Sequence, residues 1–469
     1  MWSRAVLILL LLPSLAPAQT GAGFQAQVEG VDGKGVLILE DGRRVGLQGV
    51  TLPAAPVRPA DAARRLSAGI SERLRSVGQR IWVHPDSGAE PLDSVDLVAV
   101  IRLPGHEVSL NEELLREGLG VFACRTKEVA DLEDLAAAAA RAQRDGRGWF
   151  AGGVRRRFRE LPYLNGAVLG LHHQEEDRDY HRQIDELAQA GFDHLSLLYS
   201  VFVPKVDSSR IDRTHQRTVR DSRLIETIEY ASAQGMSVML LPILLISQAE
   251  EDEWRGLLRP RDEELFWQSY DRFLAHYLDI AESTGVEIFS VGSELGSLED
   301  RTETWERIIT NARGRFRGLL TYSANWDHAH VPEFFGALDV IGMTAYFSLT
   351  DKVDPTVPEL VREWQRVGRQ IGEIARRYDR KILFTELGYA SQNGINRDPW
   401  NYGMNTQDID LQEQVDCFEA FMRVAPTLEF LAGAYFYDYY ELGGAGDWSY
   451  SPRGKPAMEH WKRWAALKR

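Results

Sequence analysis

The stretch V286-E-I-F-S-V-G-S-E-L-G-S297 decides how the second half of this chain folds. Val286 to Val291 reads as a short, buried strand. It then runs into Gly292 and Ser293 and stops on a single carboxylate, Glu294. A second run, Lys381-Ile382-Leu383-Phe384-Thr385, stops in the same way on Glu386. Two apolar runs, each ending on a glutamate, point to a sheet whose strands deliver acidic side chains to one edge.

The surrounding pattern specifies the sheet. From about residue 164, apolar runs at 166–171, 194–201, 237–243, 287–291, 318–323, 340–345, 381–385 and 431–437 alternate with amphipathic stretches. The amphipathic stretches cover 179–190, 221–234, 262–283, 302–315, 358–377 and 412–423. Eight strands with helical crossovers predict an α/β fold, a parallel sheet closed as a (β/α)8 TIM barrel. The competing doubly wound sheet calls for a glycine-rich phosphate loop after its first strand. Here that strand runs into Leu171-His172-His173-Gln174 instead.

Residues 22–150 read differently. Strands are expected at 24–28, 35–39, 44–50, 80–83 and 95–102, with turns at Asp32-Gly33 and Asp41-Gly42. Helices are expected at 60–76 and at the alanine-rich 131–145. A small β-barrel with packed helices fits this order. Residues 151–163, with the basic run Val154-Arg155-Arg156-Arg157-Phe158-Arg159, read as a linker before a barrel domain at 164–469. A nucleic-acid patch is the sharper reading of that run, but isolated charge runs are usually solvated surface.

Composition sets outer limits. The 469 residues carry a net charge of −15, so the chain has no general attraction for nucleic acid or an anionic membrane surface. Residues 1–18 have a positive start, the apolar run 5–12 and Ala16-Pro17-Ala18, which together predict a secretory signal peptide and export to the periplasm or beyond. No later stretch approaches the ~20 apolar residues of a membrane span. The two cysteines, Cys124 and Cys417, lie in different predicted domains and read as separate small core residues.

In a barrel of this kind, chemistry gathers where the strands end. In order, those ends offer His172-His173, Tyr199 with Phe202, Pro242 with Ser247, Ser293-Glu294, Asn325-Trp326-Asp327, Tyr346, Glu386 with Tyr389, and Tyr437-Asp438-Tyr439. Two carboxyl groups facing each other are the minimum equipment for cleaving a glycosidic bond. One protonates the leaving oxygen and the other attacks the anomeric carbon or activates water. Aromatic faces stack on sugar rings, and Asn, His and Tyr bind hydroxyls. The bland alternatives are structural ion pairs for the glutamates and rim packing for the aromatic rings. His172-His173 before Glu175-Glu176 raises a metal site, but there is no H-E-x-x-H, and no metal or cofactor is expected. Ser293 has no G-x-S-x-G context, which argues against a serine hydrolase.

At these residues the chain resembles the clan A glycoside hydrolases, and within them glycoside hydrolase family 113, the β-mannanase-like barrels. The resemblance rests on Trp254-Arg255-Gly256, Val291-Gly292-Ser293-Glu294-Leu295, Leu320 to Asp327, Leu338 to Phe347 and Thr385-Glu386-Leu387-Gly388-Tyr389. It implies that Glu294 is the acid/base and Glu386 the nucleophile of a retaining double displacement, with carboxyl groups about 5–5.5 Å apart. Glu294 then starts protonated and Glu386 ionised. It also implies that Tyr346 hydrogen-bonds the nucleophile and that Asn325, Trp326 and Trp254 help bind sugar. His172, Ser293 and Tyr437 complete the expected substrate contacts. Many clan members have Asn where this chain has Ser293. Gly292 and Gly296 are expected to let the backbone pass close to the sugar.

The first domain resembles a staphylococcal-nuclease-like OB-type barrel at 41–45, 47–53, 110–119 and 140–149. Where an active nuclease needs arginines and acids, this chain has Gly46, Thr51-Leu52-Pro53-Ala54 and Asp96, which implies an inactive relative. The expected function is therefore an exported glycoside hydrolase acting on β-1,4-mannan or a related β-glycan, with a polysaccharide or oligosaccharide as its partner. The alternatives are a silent carbohydrate-binding or scaffold protein on the same barrel and, third, a secreted nuclease.

Overall fold

A computed structural model describes residues 23–467 apart from 53–58, 87–94, 124–131, 149–160, 172–179, 402, 404–406 and 440–441. The expected signal peptide, the basic run of the linker, His172-His173 and Cys124 lie outside the described residues. Among the described residues, no helix is long and apolar enough to cross a membrane.

The first region contains β1 (Phe24–Val31), β2 (Leu37–Leu39), β3 (Arg44–Leu47), β4 (Gly49–Thr51), α1 (Pro59–Ser76), β5 (Arg80–Pro85), β6 (Leu97–Arg102), α2 (Leu110–Arg116), β7 (Val121–Ala123) and α3 (Leu132–Asp145). Five strands close a barrel in the order β1-β2-β3-β6-β5, antiparallel except for the β3–β6 pair. The strand expected over 44–50 breaks at Gln48, whose N–H bonds to Ala99 O in β6. Its second half, β4, leaves the barrel to pair with β7. Helix α2 is too short to show a period in the sequence. Ser109 caps it by accepting from Glu112 N at 3.1 Å, a contact of about 1 kcal/mol.

The second region runs β8 (Leu164–Leu171), α4 (His181–Gln189), β9 (His194–Val203), α5 (Asp221–Ala233), β10 (Ser237–Ile246), α6 (Glu263–Thr284), β11 (Ile288–Ser293), α7 (Thr302–Arg313), β12 (Leu319–Ala324), β13 (Ile341–Thr344), α8 (Val357–Tyr378), β14 (Ile382–Leu387), α9 (Leu411–Val424), β15 (Leu431–Phe436) and α10 (Ala457–Ala465). All eight strands expected from the apolar runs are present. They form one closed parallel barrel, β8 through β15 in sequence, with β15 pairing back onto β8. Residues on alternate sides of each strand divide the core. Leu164, Val168, Leu198, Met239, Leu241 and Leu383 form one cluster with Tyr435, and Ala167, Leu169, Leu197, Leu240 and Phe289 pack with the helices in another.

Helix ends are set by local chemistry. Asp262 caps α6 by accepting from Leu265 N at 2.9 Å, and Gly285 ends it in the left-handed conformation. Thr356 and Glu359 form a capping box at α8. Helix α10, which no apolar run announced, buries Trp461 and Trp464 under the barrel. Trp464 Nε1 donates to Ala434 O, and Asn165 Nδ2 donates to Trp464 O at 2.8 Å. The first region packs on the barrel through α3 against α7.

Barrel closure depends on Gly433. It pairs with Leu164 at the seam and has φ +135. A β-carbon there would lie 2.1 Å from Leu164 O, a backbone atom that cannot yield. Gly433→Ala is therefore expected to cost about 3 kcal/mol or more of stability. Denaturant unfolding of the barrel checks this, and an unchanged midpoint refutes it.

Candidate active site

The two glutamates reach one site because their strands are irregular. The pairing of β11 with β12 slips between Ser290 and Ser293, and Ser290 Oγ folds back to donate to Gly292 O. The pairing of β14 with β15 slips between Phe384 and Leu387. Both irregularities sit beside a carboxylate, and a bulge re-aims the side chain that follows it. Thr344 joins the two strand ends. It is the register partner of Glu386, and its hydroxyl donates to Glu294 Oε1 at 2.8 Å.

Glu294 is buried and has φ +53, unusual for a residue with a side chain. Its neighbours hold that backbone. Glu294 N donates to Ser323 O at 2.8 Å, and Leu295 N donates to the Tyr322 hydroxyl at 3.0 Å. Tyr322 in turn donates to Glu299 Oε1 at 2.7 Å. Gly292 has a different reason from the one expected. A β-carbon there would meet Tyr322, the Tyr270 hydroxyl and Trp305 at 2.7–3.0 Å. The glycine admits the aromatic layer behind the strand, not a sugar. Gly296 makes room for His328, whose Nδ1 would lie 3.1 Å from an added β-carbon.

Arg255 completes the surroundings of Glu294: its Nη2 donates to Glu294 Oε2. Burial alone would lower the guanidinium's pKa, but the charges of Glu294 and Glu386 raise it. Glu386 is buried too, and Oε2 accepts from the Tyr346 hydroxyl at 2.8 Å, as the sequence led us to expect. Its carboxyl is pushed up to about 8, first by burial and then by the charge of Glu294, against the opposing pull of Arg255 and Tyr346. The cation sits on Glu294, and Glu386 is the group held toward its neutral form.

The remaining expected residues fall into two groups. Ser293 is buried in the strand end, and its Oγ has no partner among the described residues; the Oδ1 of Asn325 is likewise buried and unpartnered among them. Both are polar atoms that a ligand hydroxyl would satisfy. Tyr437 and Tyr346 meet edge to face with ring centroids 6.1 Å apart. Trp326 meets Phe347 edge to face and stacks on Trp400, at 5.3 Å and an interplanar angle of 26°. Trp254 lies beside Arg255 and is 39% exposed. Sequence reasoning gave no role to Arg255, Thr344, Glu299 or Trp400. Arg255 was visible only as the middle of a short motif, and Trp400 lies in a loop with no period. Among the described residues, no three His, Cys, Asp or Glu side chains are grouped to hold a metal ion.

This geometry can be set beside known proteins. A profile of glycoside hydrolase family 113 matches residues 168–444, more than half of the chain. The chain belongs to glycoside hydrolase family 113. The solved structures it is similar to include a family 113 β-1,4-mannanase captured as a complex, at 23% identity and a TM-score of 0.60. That match covers 66% of this chain and 100% of the other. Another is the family 113 β-mannanase of Alicyclobacillus acidocaldarius in complex with ManMIm, at 25% identity and a TM-score of 0.59, covering 66% and 98%. A third, a β-1,4-mannanase of the same family, matches at 23% identity with a TM-score of 0.58, covering 66% and 100%. No curated protein sequence matches the chain. Membership makes the protein a glycoside hydrolase, and the family match spans both glutamates.

Glu299 generates a prediction. Burial pushes its carboxyl up to about 7, with the Tyr322 hydroxyl opposing and the charges of Glu294 and Asp327 adding. A carboxyl raised above its unfolded value holds its proton more tightly in the fold. Stability then falls as pH rises from about 4.5 to about 7, by roughly 3 kcal/mol. Glu299→Gln keeps an acceptor for Tyr322 and removes this titration. Chemical denaturation at pH 5 and pH 8 is expected to show a loss roughly 3 kcal/mol smaller in the variant; equal losses refute the assignment.

Proposed function

We propose that this chain is a retaining β-glycoside hydrolase acting on β-1,4-mannan or a related β-glycan. The observation that carries the reading is the pair of buried carboxylates joined through Thr344, one engaged by Tyr346 and the other by Arg255. The 25%-identical mannanase of A. acidocaldarius supports the substrate class.

In the proposed reaction Glu386 attacks the anomeric carbon and Glu294 protonates the departing glycosidic oxygen. A covalent glycosyl-enzyme forms, and Glu294 then takes a proton from the water that hydrolyses it. Tyr346 fixes Glu386 by holding Oε2, so attack falls to the other oxygen. Ser293 Oγ, Asn325 Oδ1 and His172 bind sugar hydroxyls, and Trp254, Trp326 and Tyr437 supply ring faces. The shorter Ser293 shifts part of the hydroxyl recognition to its neighbours.

We read the domains as a signal peptide at 1–18, an inactive nuclease-like domain at 22–150, a linker at 151–163 and the hydrolase barrel at 164–469. The closed order β1-β2-β3-β6-β5 supports the OB-type part of that reading. Asp96, at a position where a nuclease needs arginine, accepts from Arg44 N at 2.7 Å as an ordinary structural contact. The leader pattern supports export to the periplasm or beyond.

The test is hydrolysis of mannan, glucan and xylan by wild type, Glu294→Ala and Glu386→Ala. Wild type is expected to release reducing ends from mannan. Glu294→Ala should be slower by about 10²–10⁴-fold, with Glu386→Ala at least as impaired. Equal activity of all three proteins on every glycan would favour a silent carbohydrate-binding barrel.

A further inference from the structure

Ser323, on β12, is bonded to both strand ends that carry the glutamates. Its carbonyl accepts from Glu294 N at 2.8 Å. Its hydroxyl lies 2.6 Å from the hydroxyl of Thr385, the residue before Glu386, and either of the two can donate. Both side chains are fully buried. Their strands are not neighbours, because β13 runs between β12 and β14. A hydroxyl pair that meets across an intervening strand needs a gap in that strand, and Gly342 supplies it. Gly342 is the register partner of Ser323. A β-carbon there would lie 2.6 Å from Thr321 Oγ1 and 3.0 Å from Thr385 Cγ2, and 2.6 Å from Tyr322 O, a backbone atom.

Thr385 is the extra residue of its strand. Against β13, Met343 pairs with Phe384 and Thr344 with Glu386, so Thr385 is passed over. Against β15, the pairing slips between Phe384 and Leu387, which brackets the same residue. An extra residue bends a strand and re-aims the side chain beside it, and here that side chain belongs to Glu386. A one-residue slip turns a side chain to the other face of a sheet, so the aim of Glu386 depends on this bulge persisting. Straightening β14 would pull the Thr385 hydroxyl off Ser323 in the barrel interior, and a buried hydroxyl without a partner is costly.

We propose that the Ser323–Thr385 hydroxyl pair, seated over Gly342, is a brace that locks the bulge aiming Glu386 and fixes its place relative to Glu294. Ser323 and Thr385 are positioning residues, acting through the backbone of Glu294 and the strand of Glu386. The inference rests on the assignment of the two glutamates as the reacting pair. Other polar groups nearby have narrower duties. Thr344 holds the Glu294 carboxylate at 2.8 Å, Ala345 N holds the Glu386 carbonyl at 2.8 Å, and Thr321 donates to Val340 O at 2.9 Å. The brace acts on the backbone that carries both carboxylates.

The experiment compares wild type, Thr385→Val, which keeps the shape and loses the hydroxyl, Thr385→Ser, which keeps the hydroxyl, Ser323→Ala, and the double variant Ser323→Ala with Thr385→Val. The first readout is steady-state kinetics on a mannooligosaccharide. Thr385→Val and Ser323→Ala should each lower kcat by roughly 10- to 10²-fold, the cost of a reacting group misplaced by up to about 1 Å, with KM nearly unchanged. Thr385→Ser should stay close to wild type. The double variant should be no slower than the slower single variant, because both changes remove the same bond. An unchanged kcat in Thr385→Val, an equal loss in Thr385→Ser, or losses that multiply in the double variant overturns the inference. The second readout needs no activity: hydrogen exchange of the sugar-free protein, followed by mass spectrometry of its peptides. Thr385→Val should speed exchange in the peptides containing Glu386 and Glu294 and leave α8 unchanged. Exchange that is unchanged in those peptides, or faster throughout the barrel, overturns the inference, the second result being a general loss of stability. Wild type inactive on every glycan defeats the proposed function instead, and the exchange result still decides the brace.

Discussion

Two carboxyl groups buried in one site repel each other, and much of the barrel rim answers to that repulsion. At the 5.5 Å that a retaining mechanism requires, two full charges cost roughly 3 kcal/mol at an effective dielectric constant of about 20. The site does not leave both charged and alone. Arg255 and Thr344 bond to Glu294, and Tyr346 bonds to Glu386. Burial and the neighbouring charge raise Glu386. The result is a pair that holds one proton readily, the stoichiometry that a two-carboxylate hydrolysis needs at its start.

The fold makes this costly placement possible by rigidity behind the site. Glu294 keeps a left-handed backbone because Ser323, Tyr322 and Glu299 form a chain of hydrogen bonds beneath it. Behind Gly292 stands an aromatic layer in which Trp305 packs on Tyr270, Tyr322 and Phe334. A strand end anchored this way resists relaxing to a position where its carboxylate could escape to water. The same logic holds at the seam, where Gly433 lets β15 approach β8 closely enough to close the barrel.

Much of this was legible in the sequence. Eight apolar runs at regular spacing announced a closed parallel sheet, and the order of strands in the barrel follows the chain. Glutamates ending the fourth and seventh barrel strands pointed to the site, and Tyr346 lies on Glu386 as expected. The irregular pairings in β11 and β14 were not legible, because a one-residue slip leaves the apolar pattern almost unchanged while turning the next side chain to another face. Gly292 looked like a residue facing a ligand, because sequence spacing alone does not reveal which side of a bulged strand a position faces. Arg255 and Trp400 come from loops, where no periodicity says what they will touch. His172 lies outside the described residues, and its role stays with the sequence reading.

The central claim is that Glu386 is the nucleophile and that bond cleavage passes through a sugar bound to it. A 2-deoxy-2-fluoro mannosyl fluoride slows release of such an intermediate, and mass spectrometry of peptides from the inactivated protein locates the bound sugar. The account predicts one added sugar, on the peptide containing Glu386. A sugar on Glu294, or full turnover with inversion at the anomeric carbon and no trapped species, would contradict it.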